Sequence, residues 1–177
     1  MLDPYLHSAA VTSKIGSQST WVEGNNDIFN QFSATGDEVR SARSNLEAVI
    51  NAGVRTILYD GDADFICNYI GFEAMVRASR SFALLSYSPY ADLVALFPQI
   101  ASLTTKFSAD FAKQKFATYT VNGKSAGLYK NAGTLSYLRV FGAGHEVPAY
   151  LWRGVPRGAA ALQMFTQIMS GNPLSGT

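Results

Sequence analysis

The apolar positions of this chain fall into two periods. Over Glu38 to Ala52, Val39, Ala42, Leu46, Val49 and Ile50 recur at helical spacing; Asp37 can cap this helix and Gly53 can end it. "VRTILYD" (54–60) has a continuous apolar centre, as buried parallel strands have. "GDADFICN" then reads as a loop, and Asn68 to Ser79 as a helix weakened by Gly71. Tyr90 to Lys115 carries mostly helical spacing, broken near Pro98. Alternation follows over 115–141, where Asn122-Gly123 is a hairpin signal and Leu135 to Phe141 is a strongly apolar strand. Pro156 to Met169 predicts a helix with proline in its first turn and Gly171 after its end. Residues 1–36 are polar and turn-rich and show no sustained period. The succession of helix, strand, helix, hairpin, strand and helix is that of an α/β fold, with a mixed, mostly parallel sheet, flanking helices and a β-hairpin.

Composition narrows the picture. A chain of 177 residues is the size of one domain, yet only 15% are charged and 47% are hydrophobic. That suits a piece whose surface another segment partly covers. A net charge of +1 with mixed signs carries no attraction for nucleic acid or for a membrane surface. No stretch reaches the ~18 consecutive apolar residues of a membrane helix. "MLDPYLHSAA" lacks the basic end and apolar run of a signal peptide. The one cysteine, Cys67, permits no internal disulfide.

Candidate chemistry sits where α/β folds place it, past the carboxyl ends of strands. Asp64 follows the strand at 54–60, and His145, in "GAGHEVP", follows the strand at 135–141. An aspartate can hold an imidazole in one tautomer and stabilise its protonated form, and such a pair is two thirds of an acyl-transfer triad. Taken singly, each has a plainer reading: Asp64 as a turn residue, His145 as a satisfied loop histidine. No nucleophile completes the set. "GKSAG" (123–127) matches a Gly-x-Ser-x-Gly elbow in letters, but Ser125 follows a hairpin turn instead of a buried strand. Cys67 lies three residues from Asp64, and an acidic neighbour raises a thiol's pKa instead of activating it. His7 lies in an unpatterned segment. One cysteine and two scattered histidines predict no metal-ligand set.

"LYDGDADFICN" (58–68), "GKSAGLYKNAGTLSYLRVFGAGHEVP" (123–148) and the trailing helix resemble the C-terminal part of serine carboxypeptidases, α/β-hydrolase exopeptidases that release a C-terminal residue. Glu146 after the histidine resembles the fungal carboxypeptidase S1-like branch. The resemblance implies a single partial domain over 1–177, with Asp64 and His145 as triad aspartate and histidine. It implies that Ile66 and Cys67 line the pocket for the side chain before the scissile bond, and that Glu146 faces the leaving residue. It implies a peptide substrate, no cofactor, and a secreted or vacuolar location. The family's "GESYAG"-like nucleophile elbow and "NGGPG"-like oxyanion stretch do not occur here. The serine is therefore expected on an upstream segment or partner chain of the same enzyme, and this chain alone is expected to be inactive. An acyltransferase of the same family and a non-catalytic truncated paralogue are the competing expectations. Between Pro148 and Pro156, "AYLWRGV" departs from the family pattern and leaves the packing of the histidine loop open.

Overall fold

The computed structural model describes residues 3–76 and 103–177, which fall into two compact units, Met1–Ser41 and Ala42–Thr177. The first unit corrects the reading of 1–36 as unpatterned. It holds α1 (Asp3–Leu6), α2 (Ala9–Ile15) and α3 (Asn26–Thr35), followed by a 3-10 turn at Asp37–Val39. The Asn25 carboxamide accepts hydrogen bonds from the N–H groups of Asp27 and Ile28, and Gly36, at φ 66°, closes the other end of α3. The apolar residues of α3 escaped detection because they form no core: Ile28, Phe29 and Phe32 are all exposed.

In the second unit α4 runs Arg43–Asn51, shorter than the expected 38–52. Asp37 opens the 3-10 turn instead of capping α4, and Arg40, with extended backbone, separates the two. Then come β1 (Thr56–Gly61), α5 (Tyr69–Val76), α6 (Ser108–Lys113), β2 (Ala117–Val121), β3 (Lys124–Ala132), β4 (Leu135–Val140) and α7 (Ala159–Met169). The end of the helix expected over 68–79, and most of the helical stretch expected over 90–115, lie outside the described residues. The final helix begins at Ala159, three residues later than its proline suggests: Gly158, at φ 72°, is its N-cap, and Pro156 precedes the cap.

The sheet is mixed, with strand order β1-β4-β3-β2. Its parallel character rests on the β1–β4 pair; β4–β3 and β3–β2 are antiparallel among the described strands. Asn122 (φ 50°) and Gly123 (φ 73°) make the tight turn between β2 and β3. Alternation along β4 sends side chains to two cores. Leu135 and Tyr137 join Ile50 of α4, Val76 of α5 and Phe111 of α6 on one face. Leu138 and Val140 join Ala160 and Met164 of α7 on the other. A strand buried on both sides explains why the 135–141 run reads as continuously apolar. The parallel pairing matters most for function. Gly61 is opposite Val140, so β1 and β4 end in step and release their following loops side by side.

Candidate functional site

Two loops meet at this sheet edge, one after β1 and one after β4. The ladder continues past the strands: Asp62 N–H donates to the Val140 carbonyl at 3.0 Å, and Ala63 N–H to the Ala143 carbonyl at 2.9 Å. Such close passage requires a glycine. A Cβ on Gly61 would stand 2.2 Å from the Ala143 carbonyl oxygen.

The loops bring Asp64 and His145 together from 81 residues apart, with the Asp64 Oδ2 and His145 Nδ1 atoms 2.9 Å from each other. The other carboxylate oxygen of Asp64 accepts from the N–H groups of Ile66 at 2.9 Å and Cys67 at 3.2 Å. The hydrogen bond from His145 holds the Asp64 carboxyl below its ordinary pKa; burial opposes this, and the two backbone donors reinforce it. The two partners differ in access: the Asp64 side chain is 7% exposed and that of His145 67%. A covered, ionised acid behind an accessible imidazole can orient that imidazole and stabilise its charge while the ring reaches outward.

The remaining predicted residues surround this pair. Ile66 is 81% exposed beside Phe65, and Glu146 is exposed next to the histidine. Cys67 is half-buried; burial first, and then the Asp64 charge, pushes its thiol pKa up, so it is a poor nucleophile. Ser125 lies within β3, paired with Thr120, and not at a strand-to-helix elbow. His7 belongs to the first unit, where its Nδ1 lies 2.9 Å from the Asp3 carbonyl oxygen.

The histidine and cysteine that look scattered along the chain are in fact neighbours in space. Asp64, Cys67 and His145 each present a donor atom, all within 4.8 Å of one another. Spacing along the chain hid this because β4 brings His145 back beside the 64–67 loop. Yet the carboxylate oxygens already accept from His145 and from two backbone N–H groups. A cation joining Asp64 and the Nδ1 of His145 would have to displace that contact.

The "AYLWRGV" departure is where the histidine loop finds its support. The Tyr150 hydroxyl oxygen lies against Gly144, 2.6 Å from where a Cβ would stand, and Trp152 packs just as closely on Gly142. Phe141 faces the Trp152 ring with centroids 6.3 Å apart. Small residues in "GAG" are therefore what the aromatic side chains behind them require. Sequence reading did not single out Gly61, Tyr150 or Trp152, because their contacts depend on the fold.

A second acid lies behind the pair. Asp60, 5% exposed, has its two carboxyl oxygens 3.0 and 3.1 Å from the Tyr137 hydroxyl. Burial pushes its pKa up to about 7; Tyr137 and Arg139 act against this, while Glu73 and Asp62 add to it. Arg139 is itself engaged, paired with Glu73 at 3.1 Å and set over the rings of Tyr69 and Phe141.

Comparison with known proteins agrees with the motifs. The family model described as serine carboxypeptidase matches residues 1–171. Carboxypeptidase S1 of Penicillium janthinellum is 34% identical over 173 residues, covering 98% of this chain and 34% of that protein. Carboxypeptidase Y of Komagataella phaffii is 28% identical over 148 residues, covering 83% of this chain and 24% of its own length. A vacuolar serine-type carboxypeptidase of Saccharomyces cerevisiae is 27% identical over 172 residues, covering 97% of this chain and 28% of its own length. The chain thus spans about a quarter to a third of the length of these relatives. With its family model matched over nearly its whole length, and an α/β fold to go with it, the chain belongs to the serine carboxypeptidase family.

Proposed function

We propose that this chain is the C-terminal part of a serine-type carboxypeptidase and supplies two members of its catalytic triad, Asp64 and His145, to a serine carried by another segment or chain of the same enzyme. The 2.9 Å contact between Asp64 and His145, at the edge where two neighbouring strands end together, is the observation that carries this reading. His145 takes the serine proton as the hydroxyl attacks the last peptide carbonyl, then returns it to the departing amino acid. A positioned general base of this kind is worth ~10²–10⁴ in rate. Asp64 keeps the ring in the tautomer whose Nδ1 is protonated, and its negative charge stabilises the imidazolium. Water, activated by the same histidine, then releases the shortened peptide from its ester. The chain's own residues supply base and orienting acid. The oxyanion donors and the nucleophile belong to the rest of the enzyme, so the isolated chain turns over no substrate.

Ile66 and Cys67 flank the acid and line the pocket for the side chain before the scissile bond; Glu146, adjacent to the base, faces the side chain of the leaving residue. A carboxylate there favours a basic leaving residue by charge complementarity. A vacuolar or secreted location accords with the vacuolar serine-type carboxypeptidase of Saccharomyces cerevisiae among its relatives. The test is release of C-terminal Lys and Leu from matched peptides by the complete enzyme. Faster Lys release that Glu146→Met reverses supports the assignment of Glu146. Absence of any amino acid release, under conditions where acyl transfer to an alcohol proceeds, overturns the peptidase reading.

A further inference from the structure

We propose that Asp62 is a positioning residue: its carboxylate clamps the turn before His145 and so sets the imidazole against Asp64. The inference rests on the reading of Asp64 and His145 as an orienting pair. Between Val140 and Ala143 the chain leaves β4 and turns, with Gly142 at φ 65°. The ladder to the β1 side uses the carbonyls on either side of that turn, Val140 accepting from Asp62 and Ala143 from Ala63. Gly142 N–H falls between these bonds. It donates to the Asp62 Oδ1 at 2.7 Å, a short contact of the charge-assisted kind.

The Asp62 backbone and side chain thus hold two successive parts of the same turn, and Ala63 holds a third. Trp152 closes the opposite side, since no Cβ fits between it and Gly142. From this fixed turn, Ala143 and Gly144, both buried, lead directly to His145. On the other loop, Asp62 is two residues from Asp64. The stretch "DAD" therefore carries both the acid that pairs with the ring and the acid that fixes the backbone bearing it. Without the clamp, Gly142 N–H loses its acceptor and the turn that leads into His145 is less firmly held. Misplacement of a reacting group by about 1 Å can cost on the order of 10²-fold in rate.

The test reads the tautomer of His145 directly. In the complete enzyme carrying ¹⁵N-labelled histidine, long-range ¹H–¹⁵N spectra show which ring nitrogen of His145 bears the proton. In the wild-type enzyme His145 is expected with Nδ1 protonated. Asp62→Ala is expected to shift it to the mixture of a free imidazole while the β3 and β4 amide signals stay in place. Asp62→Asn, whose carboxamide oxygen can still accept from Gly142, is expected to restore the wild-type pattern. Should Asp62→Ala lose the fold, Asp62→Glu, which moves the acceptor by one methylene, is read in the same way. In the complete enzyme the Ala variant is expected to lower kcat by ~10² at unchanged KM, again with recovery in Asn. A wild-type His145 that already shows the free-imidazole mixture overturns the orienting pair itself. A protonated Nδ1 in wild type that persists in Asp62→Ala overturns the clamp alone, and so does its loss in Asp62→Asn.

Discussion

Asp60 and Asp64 lie four residues apart, at the last turn of a strand and in the loop beyond it, and their surroundings treat the same carboxyl group in opposite ways. Asp60 is inside the sheet, facing the Tyr137 hydroxyl, and burial raises its pKa to about 7. Asp64 accepts from an imidazole and two backbone donors, and its pKa is lowered. The difference is one of depth and of donors: Asp60 is buried in the strand with a single hydroxyl facing it, whereas the less deeply buried Asp64 is met by three donors. A carboxylate needs several N–H or O–H groups aimed at it to remain ionised away from water, and only the loop supplies them. The strand makes an acid that prefers to be neutral, whereas the loop makes an anion ready to face a cationic ring.

The sharpest way to break the contrast is to remove the loop's charge. Asp64→Asn in the complete enzyme is expected to lower kcat by ~10⁴ with little change in fold, because the amide holds the wrong tautomer. Steady-state kinetics alongside circular dichroism check this. The equivalent change in the strand, Asp60→Asn, is expected to leave turnover nearly intact and to alter the pH dependence of stability instead. For a group whose folded pKa is raised, the folded state binds more protons than the unfolded one. Stability is therefore fully present below about pH 4 and falls as pH rises through the folded value of about 7. Thermal melts from pH 4 to 8 should show this decline, worth on the order of 4 kcal/mol at most, and Asp60→Asn should flatten it. Asp64 has the opposite sign: its contribution is present above the ordinary carboxylate range and is lost as pH falls through its lowered pKa.

Between the two acids stands Gly61, and Gly61→Ala tests whether strand and loop are rigidly joined. The added Cβ meets the Ala143 carbonyl, so the backbones must part; a loss of about 1–3 kcal/mol is expected in denaturant unfolding, together with weakened turnover. The mildest effect is expected at Cys67. Its raised pKa predicts alkylation several-fold slower at neutral pH than that of an unstructured cysteine peptide, and Asp64→Asn should recover part of the difference. Measured alkylation rates for both chains decide this.

The places of Asp64 and His145, each just past an apolar strand, were legible in the sequence, but their pairing was expected mainly from the carboxypeptidase-like motifs around them. What joins them was not legible. Asp62 and Gly61 act through hydrogen bonds and close contacts that exist only once β1 and β4 are in register, and nothing in "GDAD" reports that register. Asp60 looked like the polar end of a strand; its burial depends on Tyr137, 77 residues away. The helices of the first unit were missed for a different reason. Pattern reading detects a buried face, and the apolar positions of α3 are exposed in its own unit. The later start of α4 follows from Arg40, whose extended backbone no propensity scale would place within that helical period.

The matched endings of β1 and β4 bear on how such a protein tolerates change in length. Because Gly61 faces Val140 directly, the distance between the two loops is fixed by one parallel ladder and not by the chain that connects its strands. An insertion at the exposed Asn122-Gly123 turn can lengthen the connection of β2 to β3 without altering the spacing of acid and base, provided that ladder stays in register. The geometry of the pair is in this sense insulated from a change of length at that turn.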